Sequence, residues 1–283
     1  MGHLVILDLA GGIALLLWGL HMVQSGILRA FGADLRRLLG LALRNRVTSF
    51  LAGTGVTALL QSSTATGLMT TTFVKDGLIG LVPALAIMLG ANVGTTLVVQ
   101  LLSFDTSWFA PVLLIVGVAA FKRGSRTVIR DLGRVAIGLG LMLLSLHILL
   151  DSLAPAENAP NIRTILAAAT AMPVLNMLIG AALAWAAHSS VAVVLLTMSL
   201  AFSNFLTPAA GLALVLGANL GSAINPLIEG GGFSDAKAMR LPLGNLINRI
   251  FGCTIVLPLL RPISAGMSVK KIIVSPWAVM MTL

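Results

Sequence analysis

The apolar residues of this chain run in blocks, such as 4–23 and 135–150, that approach the roughly 20 residues a helix needs to cross a bilayer. Charged residues make up 10% of the sequence, against about a quarter in a water-soluble domain, so too little charge exists to cover a wet surface. The chain is expected to be a multi-pass protein of the cell membrane. Its formal net charge of +9 sits mainly in short segments between the apolar blocks: Arg36, Arg37, Arg44 and Arg46, then Lys122, Arg123, Arg126, Arg130 and Arg134. That placement reports which loops face the cytoplasm and argues against a nucleic-acid partner. The single Cys253 excludes an internal disulfide. Residues 4–27 lack the basic start and small-residue cleavage motif of a signal peptide, and are read as a retained first helix.

A duplication narrows the fold further. Residues 53–96 align with 180–223 without a gap, at a constant offset of 127. Gly53 meets Gly180, Ser62-Ser63 meets Ser189-Ser190, and Leu89-Gly90-Ala91-Asn92 meets Leu216-Gly217-Ala218-Asn219. These polar matches cluster, as chance matches among Leu and Ala would not. The chain divides into copy one (1–127), copy two (128–260) and a tail (261–283) read as a loop and an incomplete hydrophobic segment. The first helix of copy one precedes a basic stretch. Its counterpart, 132–153, follows one and leads into residues 154–161, which hold Glu157 and no Lys or Arg. With basic loops in the cytoplasm, the copies are expected to have inverted topology.

Within each copy the apolar segments are interrupted. Residues 47–61 and 64–74 are each too short to cross alone and flank Ser62-Ser63, which predicts a re-entrant hairpin. Residues 78–103 are long enough, but Gly90-Ala91-Asn92-Val93-Gly94-Thr95-Thr96 predicts an unwound break. Copy two has matching interruptions at His188-Ser189-Ser190 and at 217–222. The expected fold is all-α and integral to the membrane: two inverted repeats, each with a re-entrant helical hairpin and a broken transmembrane helix.

Opening a helix in lipid exposes N–H and C=O groups that are costly unless something binds them. A helix N-terminus offers free N–H groups and the positive end of a dipole, which suits an oxyanion. Gln61, Ser62, Ser63, Thr64 and Thr66 in copy one, and His188, Ser189 and Ser190 in copy two, add side-chain groups there. The carbonyls and hydroxyls of Ser62, Ser63, Ser189 and Ser190 also suit a small hard cation. A single such tract could equally be hydroxyls packing between helices; two at symmetric positions favour a site. Asn92, Thr95, Thr96, Asn219 and Ser222 flank it. They either belong to unwound segments lining a cavity or pack helices, with Gly90, Gly94, Gly217 and Gly221 then allowing close helix approach. Asn245 and Asn248 stay open between lining the cavity and bonding across helices.

No Lys, Arg, Asp or Glu lies within 47–74, 78–102 or 165–204. An anion bound there would keep uncompensated charge at low dielectric, so co-bound monovalent cations are expected. No metal-ligand cluster, nucleophile–base pair or paired carboxylates supports enzyme chemistry, and no cofactor is expected beyond a coupling ion.

At these residues the sequence resembles the sodium/phosphate cotransporter family, which includes animal type II carriers and bacterial homologues. That family is marked by two Gln-Ser-Ser tracts in inverted repeats, each followed by a Gly-x-Asn-x-Gly-Thr-Thr-like segment. Gln61-Ser62-Ser63 and the segment from Gly90 to Thr96 match closely, and Gly244-Asn245 with Asn248 is similar to the stretch after the second repeat. Copy two departs from the pattern, with His188 in place of Gln, Val191 in place of a hydroxyl residue, and Ser222-Ala223 in place of Thr-Thr. The resemblance implies symport of inorganic phosphate with sodium, the residues above as ligands, and contact with membrane lipid. His188 would add a donor to phosphate, its protonation replacing one cation. A homodimer and a separate PhoU-like regulator are the partners it admits; bacterial relatives often carry a PhoU-like domain after the membrane part, so a chain stopping at Leu283 is expected to be a short form or a truncation. The rivals are carriage or export of another small anion, and a transport-inactive membrane scaffold or sensor of the same fold.

Overall fold

A computed structural model describes residues 2–41, 45–103, 108–153, 172–203, 205–230 and 236–265, and the regular elements among them are helices. In chain order they are α1 (Gly2–Leu41), α2 (Arg46–Leu60), α3 (Ser63–Lys75), α4 (Leu81–Leu102), α5 (Phe109–Arg123), α6 (Thr127–Leu153), α7 (Pro173–Ala186), α8 (Ser190–Phe202), α9 (Pro208–Glu229) and α10 (Ala236–Ser264). The sequence offset of 127 recurs in these boundaries. It carries both ends of α3 onto α8 and both ends of α4 onto α9, and the starts of α2 and α5 onto those of α7 and α10.

Helices α1, α4, α6, α9 and α10 are long and apolar enough to cross a membrane. Helices α2, α7 and α8 are apolar but have at most 15 residues, which at about 1.5 Å per residue falls short of the roughly 30 Å hydrocarbon core. The chain is a multi-pass membrane protein.

One expectation about the first helix needs correcting. Residues beyond 27 were expected to form a basic loop, yet α1 continues to Leu41. Ile27, Leu35 and Leu39 are buried at helical spacing, while Arg29, Arg36 and Arg37 lie on the exposed side, so amphipathicity sustains the helix. Residues 154–161 and the tail beyond 265 lie outside the described residues.

The unwound breaks expected at 90–96 and 217–222 are absent: α4 and α9 run through them as continuous helices. The glycines instead allow backbones to touch. A methyl on Gly53 would overlap the Ile87 carbonyl oxygen, and one on Gly90 the Phe50 carbonyl oxygen, so α2 lies directly on α4. Gly180 against Leu214 and Gly217 against Met177 do the same for α7 and α9. Small residues that admit close approach are the usual device for helix packing in lipid, where apolar burial alone gives little drive. The contacts rise together, from Gly53 beside Ile87 to Thr57 beside Gly94, so α2 runs parallel to α4. By contrast Gly12 meets Leu149, Gly19 meets Gly138 and Gly26 meets Asp131, so α1 runs antiparallel to α6. The short helices reach across the chain: α3 packs on α9 and α10 as well as α4, and α8 packs on α4, α6 and α1.

Candidate substrate site

Two tips of matching geometry stand where the serine tracts fall. Helix α2 ends on Gln61 at φ 53, ψ 27, and His188 after α7 has φ 52. Non-glycine residues in this left-handed region cost about 1–2 kcal/mol, a strain kept at both positions. Ser62 (φ −148, ψ 106) caps α3, its hydroxyl oxygen accepting from the Ala65 N–H at 3.1 Å. Ser189 (φ −152, ψ 113) caps α8 in the same way, accepting from Ala192 at 3.1 Å. Each hydroxyl satisfies one N–H of the first turn and keeps its own proton to donate.

Gln61, Ser62, Ser63, Thr64, Thr66, Ser189 and Ser190 are buried. Thr57 donates to Thr66 at 2.8 Å between hydroxyls, tying α2 to α3 behind the tip. The tips differ at one side chain. Gln61 is 7% exposed with its Oε1 free of any hydrogen bond to the protein, whereas His188 turns outward, its Nε2 2.9 Å from the Glu229 carboxylate and its side chain 60% exposed.

The centre of the bundle holds a residue the sequence reading passed over. Arg249 lies halfway along α10 and is 3% exposed. Its guanidinium donates to the Asn92 amide oxygen on α4 at 2.5 Å, to the Ser222 hydroxyl on α9 at 2.7 Å, and to the Asn219 backbone carbonyl. Asn92 and Asn219 are repeat counterparts, each near the middle of its helix, so one side chain joins both halves at mid-helix. The stretches read as free of charge do hold none, and this charge enters from α10, which lies outside them. A charged group within an apolar span is costly and, where found, marks a functional centre. The visible signal was a lone Arg amid the apolar stretch 241–260.

The polar atoms on the faces that meet Arg249 are incompletely used. Arg249 Nε, Asn92 Nδ2, Asn245 Nδ2 and both amide atoms of Asn225 are buried and make no hydrogen bond to the protein. Asn245 precedes Arg249 by one turn of α10, and Asn225 follows Ser222 by one turn of α9, so they share faces with the bonded groups. Of the flanking residues, Thr95 donates back to the Ala91 carbonyl at 3.1 Å, and Thr96 is half-buried. Asn219 contributes its carbonyl from a half-buried position, and Asn248 is half-buried.

Register connects the first tip to this cluster. A side chain at Gly67 would meet Pro226 and Met88 at 3.2 Å, and one at Gly230 would meet Thr71 at 3.2 Å, so α3 and α9 rise together. One turn earlier the same register sets Ser63 level with Ser222, the partner of Arg249. The N-terminus of α3 thus opens at the height of the guanidinium.

Helices of membrane-crossing length thus surround a buried, positively charged polar centre. The sequence matches the Na+/Pi-cotransporter family over residues 15–151 and 154–269, and the chain belongs to that family. Relatives named as candidate inorganic phosphate export proteins, YjbB of Salmonella typhimurium and of Escherichia coli K12, are each 41% identical to it, over 92% and 93% of this chain and 48% of their own length. The chain therefore spans about half the length of these relatives. An uncharacterised protein of Bacillus subtilis, YqeW, is 24% identical over 91% of this chain and 83% of its own. No solved structure matches.

Proposed function

We propose that the chain carries inorganic phosphate across the membrane through a central site shared by two inverted halves, with sodium as coupling ion. The observation that carries this reading is the pair of like-capped tips at Ser62 and Ser189, together with a buried arginine that bonds Asn92 of one half and Ser222 of the other. Family membership points to phosphate and sodium. The antiparallel course of α1 and α6, which head the two halves, supports inversion. The parallel course of α2 and α4 supports a re-entrant α2–α3: a chain that must start α4 on the side where α2 began has to double back. The pairing of α7 with α9 supports the same for α7–α8.

Phosphate oxygens take the first-turn N–H groups of α3 and α8 and the hydroxyl protons of Ser62 and Ser189, with further donors from Gln61 and Thr64. Thr66, whose hydroxyl donates to the Ser62 carbonyl at 3.2 Å, holds the first tip from behind. Sodium takes hydroxyl and carbonyl oxygens of Ser62, Ser63, Ser189 and Ser190, the ligand type a hard cation prefers. His188 joins the site when its ring leaves Glu229. Membrane lipid encloses the bundle, and a homodimer and a separate PhoU-like regulator are the further partners proposed. Export is a second reading, favoured by the names of the 41% identical relatives. A coupled carrier runs either way, so the gradients of sodium and phosphate set its direction.

Liposomes holding the purified protein under an inward sodium gradient are expected to accumulate radiolabelled phosphate at neutral or alkaline pH, and a choline gradient is expected to give no accumulation. Phosphate that only equilibrates, at one rate in both salts, would refute sodium coupling and leave downhill export.

A further inference from the structure

We propose that Arg249 is a fixed cation for one charge of the transported oxyanion, so that the phosphate monoanion binds without sodium whereas the dianion requires it. This rests on reading the centre as a phosphate site. Four observations lead to it. The guanidinium is buried at mid-helix, where an unbalanced charge is strongly disfavoured. Among the described residues no carboxylate pairs with it: its partners are an amide oxygen, a hydroxyl and a carbonyl, which carry no charge. Of the buried polar atoms that lack protein partners on the faces that meet it, four are donors (Arg249 Nε, Asn92 Nδ2, Asn225 Nδ2 and Asn245 Nδ2) and one, Asn225 Oδ1, is an acceptor. The N-terminus of α3 opens level with Ser222, adding N–H groups and a positive dipole end.

A positive, donor-rich and acceptor-poor centre suits a small oxyanion with several acceptor oxygens. Arginine, permanently charged and planar, is the side chain best matched to phosphate. With a monoanion the pair is neutral and no mobile cation is needed. With a dianion one negative charge remains, and a sodium ion at the serine tips balances it. The cation expected to accompany every anion is thus partly built into the fold.

Few other titratable groups can mimic this behaviour. Helix α4 contains none, α3 only Lys75 and α9 only Glu229, each at its last residue. On α10, Cys253 stands one turn away with its thiol donating to the Leu216 carbonyl at 3.8 Å, while Lys237, Arg240 and Arg261 stand more than two turns off. The one further ionisable side chain proposed for the site is His188, paired with Glu229 at 2.9 Å, so the comparison below is made in His188→Gln as well as in wild type. The same salt pattern in both leaves the ligand's own ionisation as its source, and loss of the pattern in His188→Gln overturns the assignment to Arg249.

The test is equilibrium binding of radiolabelled inorganic phosphate to the full purified chain, in sodium and in choline, below and above the second ionisation of phosphate. Below it, wild-type affinity is expected to agree within about twofold between the salts; above it, choline is expected to weaken binding on the order of tenfold. Arg249→Gln is expected to lose binding in choline at both pH values, on the order of a hundredfold. Arg249→Lys keeps the charge, and so the salt pattern, at reduced affinity. Because Arg249→Gln also breaks buried hydrogen bonds and can unfold the centre, the wild-type comparison decides without it. Wild-type binding that needs sodium equally at both pH values, or Arg249→Gln binding like wild type, overturns this proposal alone. No phosphate binding in any condition overturns the phosphate reading together with it.

Discussion

Replacing Ser62 or Ser189 by glycine is expected to weaken phosphate binding by at least about tenfold while leaving the fold almost untouched. The choice of glycine separates two roles of one hydroxyl. As an N-cap, each serine holds a first-turn N–H at 3.1 Å from an extended backbone that glycine adopts freely. Glycine is itself a good N-cap, so the helix loses only a few tenths of a kcal/mol, whereas alanine would cost about 0.5–2 kcal/mol. As a ligand, the hydroxyl has no substitute in glycine, and a lost hydrogen bond to a charged group weakens binding by about 1.5–3 kcal/mol, roughly ten- to a hundredfold. Thermal unfolding and phosphate binding measured on the same samples should therefore diverge for glycine and fall together for alanine. A glycine variant with wild-type affinity would reduce both serines to caps.

Two glycines on one helix should respond in opposite directions to the same substitution. Gly53→Ala places a methyl against the Ile87 backbone, with its α-carbon 2.9 Å away, and a backbone cannot rotate aside as a side chain would. Overpacking of this kind costs about 1–3 kcal/mol, and the continuous contact of α2 along α4 leaves little room to relax. Gly55 has nothing within 4 Å of the added carbon, so Gly55→Ala is expected to stabilise by about 0.5–1 kcal/mol through helix propensity alone. Thermal unfolding in detergent should place the variants on opposite sides of wild type. Equal effects would mean that α2 does not rest on α4 through Gly53.

Much of this architecture was legible in the residues, and what was missed has physical causes. Serine after a short apolar helix is an N-cap signal, so the breaks at Ser62 and Ser189 could be located from sequence, and the helices restart at Ser63 and Ser190. The left-handed turns at Gln61 and His188 were not foreseen, because residues other than glycine adopt that conformation in only a few per cent of cases. The segment from Gly90 to Thr96 was read as unwound because glycine can break a helix. It stays helical because each glycine faces another backbone, a circumstance set by tertiary packing and invisible in one segment alone. Arg249 escaped notice because the charge argument covered only segments bearing the repeated motifs, and the centre is completed by a helix outside them. That helix also separates the halves. Its counterpart by offset, α5, packs on α6, while α10 packs on α9, α3 and α4 and delivers the cation.

Counterflow is the measurement closest to the central claim that an oxyanion crosses through the shared centre: liposomes carrying the purified chain, loaded with unlabelled phosphate, exchange it for external radiolabelled phosphate. The account predicts transient accumulation of label that saturates with phosphate concentration and disappears when Ser62 and Ser189 are both glycine. Label entry no faster than in protein-free liposomes, or unaffected by the paired substitution, would contradict it.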